Sequence, residues 1–235
     1  SENCAFANLD YQDYCFLGPG ETVLITAEGV EQRIPPGEAM QVCSFLWVYY
    51  GYPASDYENI NVEWVRNRCG ASLARRDQEE IDFVAGIPDS GIGHAIGYAG
   101  EKKIPYLRPF VKYTPTWPRS FMPQNQATRD LVARMKLIPI AELIEGQRLL
   151  FCEDSIVRGT TSRKIVQALR DAGAIEVHMR ISSPPVTHPC FFGIDTATYR
   201  DGALDAKTKE LLGLVASAVL RCDDCITYHL IKCKE

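Results

Sequence analysis

At 235 residues, with a net charge of −5, nine cysteines and 46% hydrophobic residues, the composition is that of a folded globular protein and excludes disorder and collagen-like repeats. Mild acidity argues against nonspecific nucleic-acid binding, which needs a concentrated positive field. The most apolar runs, such as Ser44 to Tyr50, fall short of the ~20 residues that cross a bilayer. With no basic-then-apolar leader after Ser1-Glu2-Asn3, the expectation is a cytoplasmic protein whose cysteines serve metal, catalysis or burial rather than disulfides.

Turn signals at Gly18-Pro19-Gly20 and Pro35-Pro36-Gly37 bracket Thr22 to Thr26, which predicts a short strand in a connecting hairpin rather than a core. Asn61 is placed to cap a helix whose apolar stripe is Val62, Val65, Cys69 and Leu73, with Arg66, Arg68, Arg75 and Arg76 off it. Ile81 to Gly86 reads as a buried strand. A turn at Pro88-Asp89-Ser90-Gly91 follows, then a helix along Ile92, Ala95, Ile96 and Ala99 that stops at Gly100. Tyr106 to Val111 is the next strand, and the Pro-rich stretch from Lys112 to about Arg134 has the length of an active-site lid. Leu149 to Cys152 and Val177 to Ile181 are further strands, with a helix from Thr160 to Ala172 between them and Gly173 as its stop. Strand, helix, strand in repetition predicts an α/β protein: a parallel sheet with helices on both faces.

The chemistry concentrates where the Leu149 strand ends, in Glu153-Asp154-Ser155-Ile156-Val157-Arg158-Gly159-Thr160-Thr161-Ser162. Open parallel sheets bind ligands at the carboxyl ends of their strands, which is where the Glu153–Asp154 pair stands. Gly159 lets the backbone approach an anion, and Thr160, Thr161 and Ser162 offer hydroxyls beside the free N–H groups of a new helix. An acid pair beside a phosphate cradle suits ribose hydroxyls or a magnesium ion held largely by water and substrate oxygens. One ligand satisfies both halves: a ribose 5-phosphate carrying a further charged group.

This run resembles the phosphoribosyl pyrophosphate signature of type I phosphoribosyltransferases, and among them that of the glutamine phosphoribosylpyrophosphate amidotransferases. Segments similar to that family recur in family order: Cys43-Ser44 to Gly51-Tyr52-Pro53, Ile60-Asn61-Val62, Gly86-Ile87-Pro88-Asp89-Ser90, Arg119-Ser120-Phe121, Arg134-Met135-Lys136-Leu137, and Ser182-Ser183-Pro184-Pro185 through His188 to Asp195. The resemblance implies the type I phosphoribosyltransferase fold over residues 41–205. A connector over residues 1–40 would lead in from the end of a glutaminase domain, and a Cys-bearing tail would occupy residues 206–235. It implies binding of phosphoribosyl pyrophosphate with magnesium and displacement of pyrophosphate by ammonia, with a separate glutaminase as ammonia source, purine nucleotides as inhibitors and a homo-oligomeric state. By the same resemblance Pro88, Asp89 and Ser90 form the pyrophosphate loop, and Glu153, Asp154, Ser155, Arg158, Gly159, Thr160, Thr161 and Ser162 bind the rest of the substrate. Ser90, Glu153 and Asp154 surround magnesium, while Lys112 and Arg119 border the loop that closes over substrate. Two departures stand out. The family's usual acid pair is Asp-Asp, and its Lys-Asn-Arg-Tyr-Val-Gly-Arg loop is replaced by Lys112-Tyr113-Thr114-Pro115-Thr116-Trp117-Pro118-Arg119. The altered loop leaves a different acceptor, or a non-catalytic binding role, as alternatives.

Cys222-Asp223-Asp224-Cys225 alone is compatible with zinc, an iron–sulfur cluster or redox work. The resemblance adds Cys43 and Cys190, giving the four thiolates of a 4Fe-4S cluster, with zinc as the alternative. Cys4, Cys15, Cys69 and Cys152 are expected to be buried as small apolar groups. Packing or surface roles are expected for His94 and His178.

Overall fold

A computed structural model describes residues 2–112, 137–156 and 159–185 together with 205, 207, 208, 211 and 215, and for Thr160 and Thr161 the backbone alone. Two compact units divide the chain, residues 1–118 with 130–183 and residues 119–129 with 184–235. In the second, Asp205 accepts from Thr208 N at 2.8 Å and from Thr208 Oγ1 at 2.7 Å, the local bonding that starts a helix. Among the described residues no helix is long and apolar enough to cross a membrane.

The chain opens with a hairpin of β1 (Thr22–Thr26) and β2 (Gly29–Ile34), antiparallel, with Thr26 opposite Gly29. Val23 is its one half-buried residue, so the predicted hairpin forms but carries no core. Cys15 lies in the same open segment and is exposed, against the expectation of burial, because nothing there can cover it. Cys152 is fully buried as expected, and Cys4 and Cys69 are half-buried.

A single π-helical turn, Leu46–Tyr50, and the short pair β3 (Asp56–Tyr57) and β4 (Ile60–Asn61) lead into α1 (Val62–Arg76). The Asn61 side chain accepts from Trp64 N at 3.0 Å, the predicted cap. The buried stripe differs from the predicted one: it runs Val62, Arg66, Gly70, Ala74, with Val65, Cys69 and Leu73 half-buried on its flank. Close approach to the next helix sets that face, since a Cβ on Gly70 would overlap the His94 carbonyl. Arg66 joins it because its guanidinium finds three acceptors, the carbonyls of Trp47 (3.0 Å), Tyr49 (3.3 Å) and Gly51 (2.8 Å).

β5 (Phe83–Gly86) is buried throughout and leads to α2 (Ile92–Lys102). The helix passes the predicted stop at Gly100 and ends at Lys103, which takes φ +61°. Pro105 explains the later end, because its ring bars the residue before it from helical geometry. The predicted strand from Tyr106 to Val111 is divided. Tyr106 bridges Val84 in parallel, while β6 (Phe110–Lys112) pairs antiparallel with β7 (Leu137–Pro139) in a separate sheet. Pro109, which has no N–H to give to a ladder, stands at the break.

After α3 (Ala141–Ile144) come β8 (Arg148–Glu153), α4 (Thr160–Asp171) and β9 (Glu176–Ile181). The central sheet has the order β5-β8-β9 and is parallel throughout, with Gly86 opposite Cys152 and Glu153 opposite Ile181. Successive residues of a strand face opposite sides, and here they feed two cores. Phe83, Ala85, Leu149 and Phe151 pack with Ile165 and Leu169 of α4. Val84, Leu150 and Cys152 pack with Ala74 of α1 and with Ala95, Tyr98 and Ala99 of α2. Helices therefore cover both faces, as the alternation predicted.

Candidate active site

The carboxyl ends of β5 and β8 lie side by side, and the turn after each leads into a helix. In the first turn Ile87 N donates to Cys152 O at 3.0 Å and Gly91 N to Ile87 O at 2.8 Å. Glycine is required at both of its ends: a Cβ on Gly86 would lie 2.6 Å from Gly91 O, and one on Gly91 would overlap Cys152 O. The Pro88–Asp89 peptide is cis. Folded this way, the turn brings Ser90 to the acid pair, where Ser90 Oγ donates to Glu153 Oε1 at 2.5 Å. The same oxygen accepts from Asp154 N at 3.0 Å, and Asp154 Oδ1 accepts from Ser155 Oγ at 2.7 Å.

Asp154 is 7% exposed and Glu153 half-buried. Burial pushes the Glu153 carboxyl up to about 7; the Ser90 bond works against this and the Asp154 charge adds to it. Burial also raises Asp154, tempered by the Ser155 bond and by the Arg66 charge. Two carboxylates thus stand together, each less acidic than in water, and a cation or a pair of donor hydroxyls would favour their charged forms. Such oxygen donors fit magnesium. Among the described residues no group of three or more His, Cys, Asp or Glu could hold a metal, so Ser90, Glu153 and Asp154 would hold it with water and ligand oxygens completing the shell.

Gly159 opens α4 from the left-handed region, φ +68°, and no side chain caps the helix. The N–H groups of a helix's first turn have no partner within the helix, which is the kind of donor set a phosphate cradle uses. Across the turn after β5, Lys112 Nζ lies 2.7 Å from Asp89 Oδ2. The structure therefore brings together Ser90, Glu153, Asp154 and Ser155, and pairs Asp89 with Lys112. Arg119 and Arg158 lie outside the described residues, as do Cys190, Cys222 and Cys225; Cys43 is exposed.

One neighbour escaped the sequence reading, and a second packs as expected. Arg66, read as lying off the apolar stripe, is buried, and its charge acts on Asp154. Its position four residues after Val62 was the available signal. His94 is fully buried; burial and the Arg66 charge push it down to about 4, so it packs as a neutral ring.

The profile of the carboxymuconolactone decarboxylase family matches residues 190–235, the stretch holding Cys190, Cys222 and Cys225. A relative from Bacillus subtilis (strain 168), named amidophosphoribosyltransferase, is 43% identical over 202 residues, 86% of this chain and 42% of its own length. A solved structure described as the allosteric regulatory enzyme of purine biosynthesis is 42% identical with a TM-score of 0.72, covering 86% of this chain and 43% of that one. Another, the glutamine phosphoribosylpyrophosphate amidotransferase from B. subtilis complexed with ADP and GMP, is 43% identical with a TM-score of 0.75, covering 84% of this chain and 44% of that one. The chain thus spans less than half the length of these relatives. Over most of its own length it is homologous to the amidophosphoribosyltransferases, matching their phosphoribosyltransferase part in a type I phosphoribosyltransferase fold.

Proposed function

We propose that the carboxyl edge of β5 and β8 binds 5-phosphoribosyl 1-pyrophosphate with magnesium and transfers the phosphoribosyl group to ammonia, forming phosphoribosylamine for purine nucleotide synthesis. The observation that carries this reading is the 2.5 Å bond from Ser90 to Glu153. It joins the turn read as the pyrophosphate loop to the acid pair read as the ribose site, at the ends of neighbouring strands. Glu153 and Asp154 accept from the ribose hydroxyls, and the α4 N-terminus receives the 5-phosphate. The turn from Pro88 to Ser90 faces the departing pyrophosphate, and Lys112 supplies positive charge beside it. Magnesium, when bound, neutralises charge gathering on the leaving group. The reaction needs no strong base, because the ribose becomes cationic as the pyrophosphate becomes anionic.

Purine nucleotides compete for this site on the same reading, in line with the ADP and GMP of the related structure. Ammonia comes from a glutaminase, and the protein works as a homo-oligomer. The four-thiolate set of Cys43, Cys190, Cys222 and Cys225 has no part in the transfer. Those cysteines would instead hold a 4Fe-4S cluster, with zinc as the alternative, and the carboxymuconolactone decarboxylase match covers three of the four. About four irons per chain after anaerobic purification is the expected outcome, bound zinc without iron would favour the alternative, and neither metal would overturn the four-thiolate site.

The test is incubation with phosphoribosyl pyrophosphate, magnesium and ammonium while pyrophosphate release is followed. Release that depends on ammonium supports the proposal. Release with a nucleobase but not with ammonium would reassign the acceptor, and binding without release would make the protein a non-catalytic receptor for the substrate.

A further inference from the structure

The proposed transfer uses the Lys112 ammonium but gives no role to its ion pair with Asp89. The carboxylate stands in the turn after β5, beside Ser90, and is 70% exposed; the ammonium, 38% exposed, reaches it at 2.7 Å from the last residue of β6. These strands belong to different sheets, so the pair links the β6–β7 ladder to the turn across open surface. A carboxylate in a turn that receives a polyanion is unfavourable for that ligand unless something neutralises it, and Lys112 does so. The same ammonium stands against the turn assigned to the pyrophosphate.

We infer that Asp89 is a counter-ion that competes with the pyrophosphate group of the substrate for Lys112. The inference rests on the pyrophosphate reading of the turn. In the ligand-free protein Asp89 keeps the Lys112 ammonium over the turn, and a diphosphate oxygen then takes its place. Asp89 is thus a positioning residue whose effect is to weaken ground-state binding of the diphosphate while keeping its partner in place. Because the pair is exposed, its effect is small and screened by salt.

The experiment is calorimetric titration of inorganic pyrophosphate with magnesium into the wild-type chain, Asp89→Asn, Lys112→Gln and the double variant. Asparagine keeps the shape of residue 89 and removes its charge. Asp89→Asn is expected to bind pyrophosphate about three- to fivefold more tightly at low salt, an effect of the size exposed pairs produce, and the gain should shrink as salt is raised. Lys112→Gln should bind more weakly, and in its background the gain from Asp89→Asn should vanish. Unchanged or weaker binding by Asp89→Asn would overturn the inference, as would an equal gain with Lys112 absent, since Asp89 would then act through its field alone. If the wild-type protein binds neither pyrophosphate nor phosphoribosyl pyrophosphate, the failure lies with the site reading itself. Both residues are on the surface and outside the cores, so all four proteins are expected to share one melting temperature.

Discussion

Two carboxylate clusters stand near the carboxyl end of the same three-stranded sheet, and their environments pull in opposite directions. Asp77, at the end of α1, has a side chain only 2% exposed, yet it meets Arg180 Nε of β9 at 2.6 Å and accepts from Tyr98 OH at 2.7 Å. Burial acts to raise it, but the Arg180 and Tyr98 bonds outweigh burial and hold it at about 2. Glu153 and Asp154 have serine and backbone donors and, among the described residues, no basic side chain bonded to them, and both are raised. A buried acid given its own cation is complete and serves the fold. A pair of acids held without one remains open to a ligand that brings a cation, at a cost in stability.

The largest expected effect breaks the open pair. Asp154→Asn removes one of the two charges that would hold the cation, and magnesium-dependent binding of phosphoribosyl pyrophosphate should fall by at least about 100-fold, since groups aimed at developing charge contribute on that scale. Urea unfolding of the variant should match the wild type or exceed it. Unaltered binding would show that the acid pair is only part of the fold. Next in size is the closed pair. Asp77→Asn leaves the Arg180 guanidinium, 27% exposed, without its anion, and should destabilise by about 2–4 kcal/mol. Turnover per folded molecule should hardly change. A lost activity in soluble, folded Asp77→Asn would erase the distinction between the clusters.

The third effect depends on pH. Glu153 rises from 4.5 in the unfolded chain to about 7 in the fold, so the folded state binds more protons between those values. Its cost is therefore absent below about 4.5 and complete above about 7. Glu153→Gln should accordingly stabilise the ligand-free protein at pH 8 by up to about 3 kcal/mol, at 1.36 kcal/mol per unit, less what water reaching its outer oxygen already supplies. At pH 4 the variant and wild type should melt together. Asp77 has the opposite sign: held below its usual 3.8, it stabilises above that value, and the contribution is lost as the pH falls through about 2. A pH-independent gain for Glu153→Gln would mean that the Ser90 bond, not the buried charge, sets the local energy.

The contrast between the two clusters also separates what the sequence displays from what it hides. Glu153, Asp154 and Gly159 are neighbours in sequence, so their site could be read from the chain directly, and the Ser90 turn followed from the family resemblance. Alternating strands and helices likewise predicted the parallel sheet and its two covered faces. The Asp77–Arg180–Tyr98 cluster joins three elements through side chains that look ordinary in sequence, and only the register of β9 beside β8 brings Arg180 there. Arg66 was misplaced for a related reason. Its acceptors are backbone carbonyls of the Trp47–Gly51 segment, which composition and periodicity do not reveal.

The smallest effect tests the helix between the clusters. α2 begins after the Ser90 turn and carries Tyr98 to Asp77, so its far end bears on the closed cluster more than on the open one. If Gly100 ended the helix, as its sequence position suggests, it would need the left-handed conformation and an alanine there would be strained. Gly100 instead lies within α2, exposed, with open space where a Cβ would stand, and the left-handed residue is Lys103. Gly100→Ala should then stabilise by about 0.5–1 kcal/mol through lower backbone entropy in the unfolded chain. That gain should appear in urea unfolding and leave pyrophosphate binding unchanged, because the added methyl group stands about two turns along α2 from the end that follows Ser90. A loss of stability would place the end of the helix at Gly100, and a change in binding would couple the two clusters through α2.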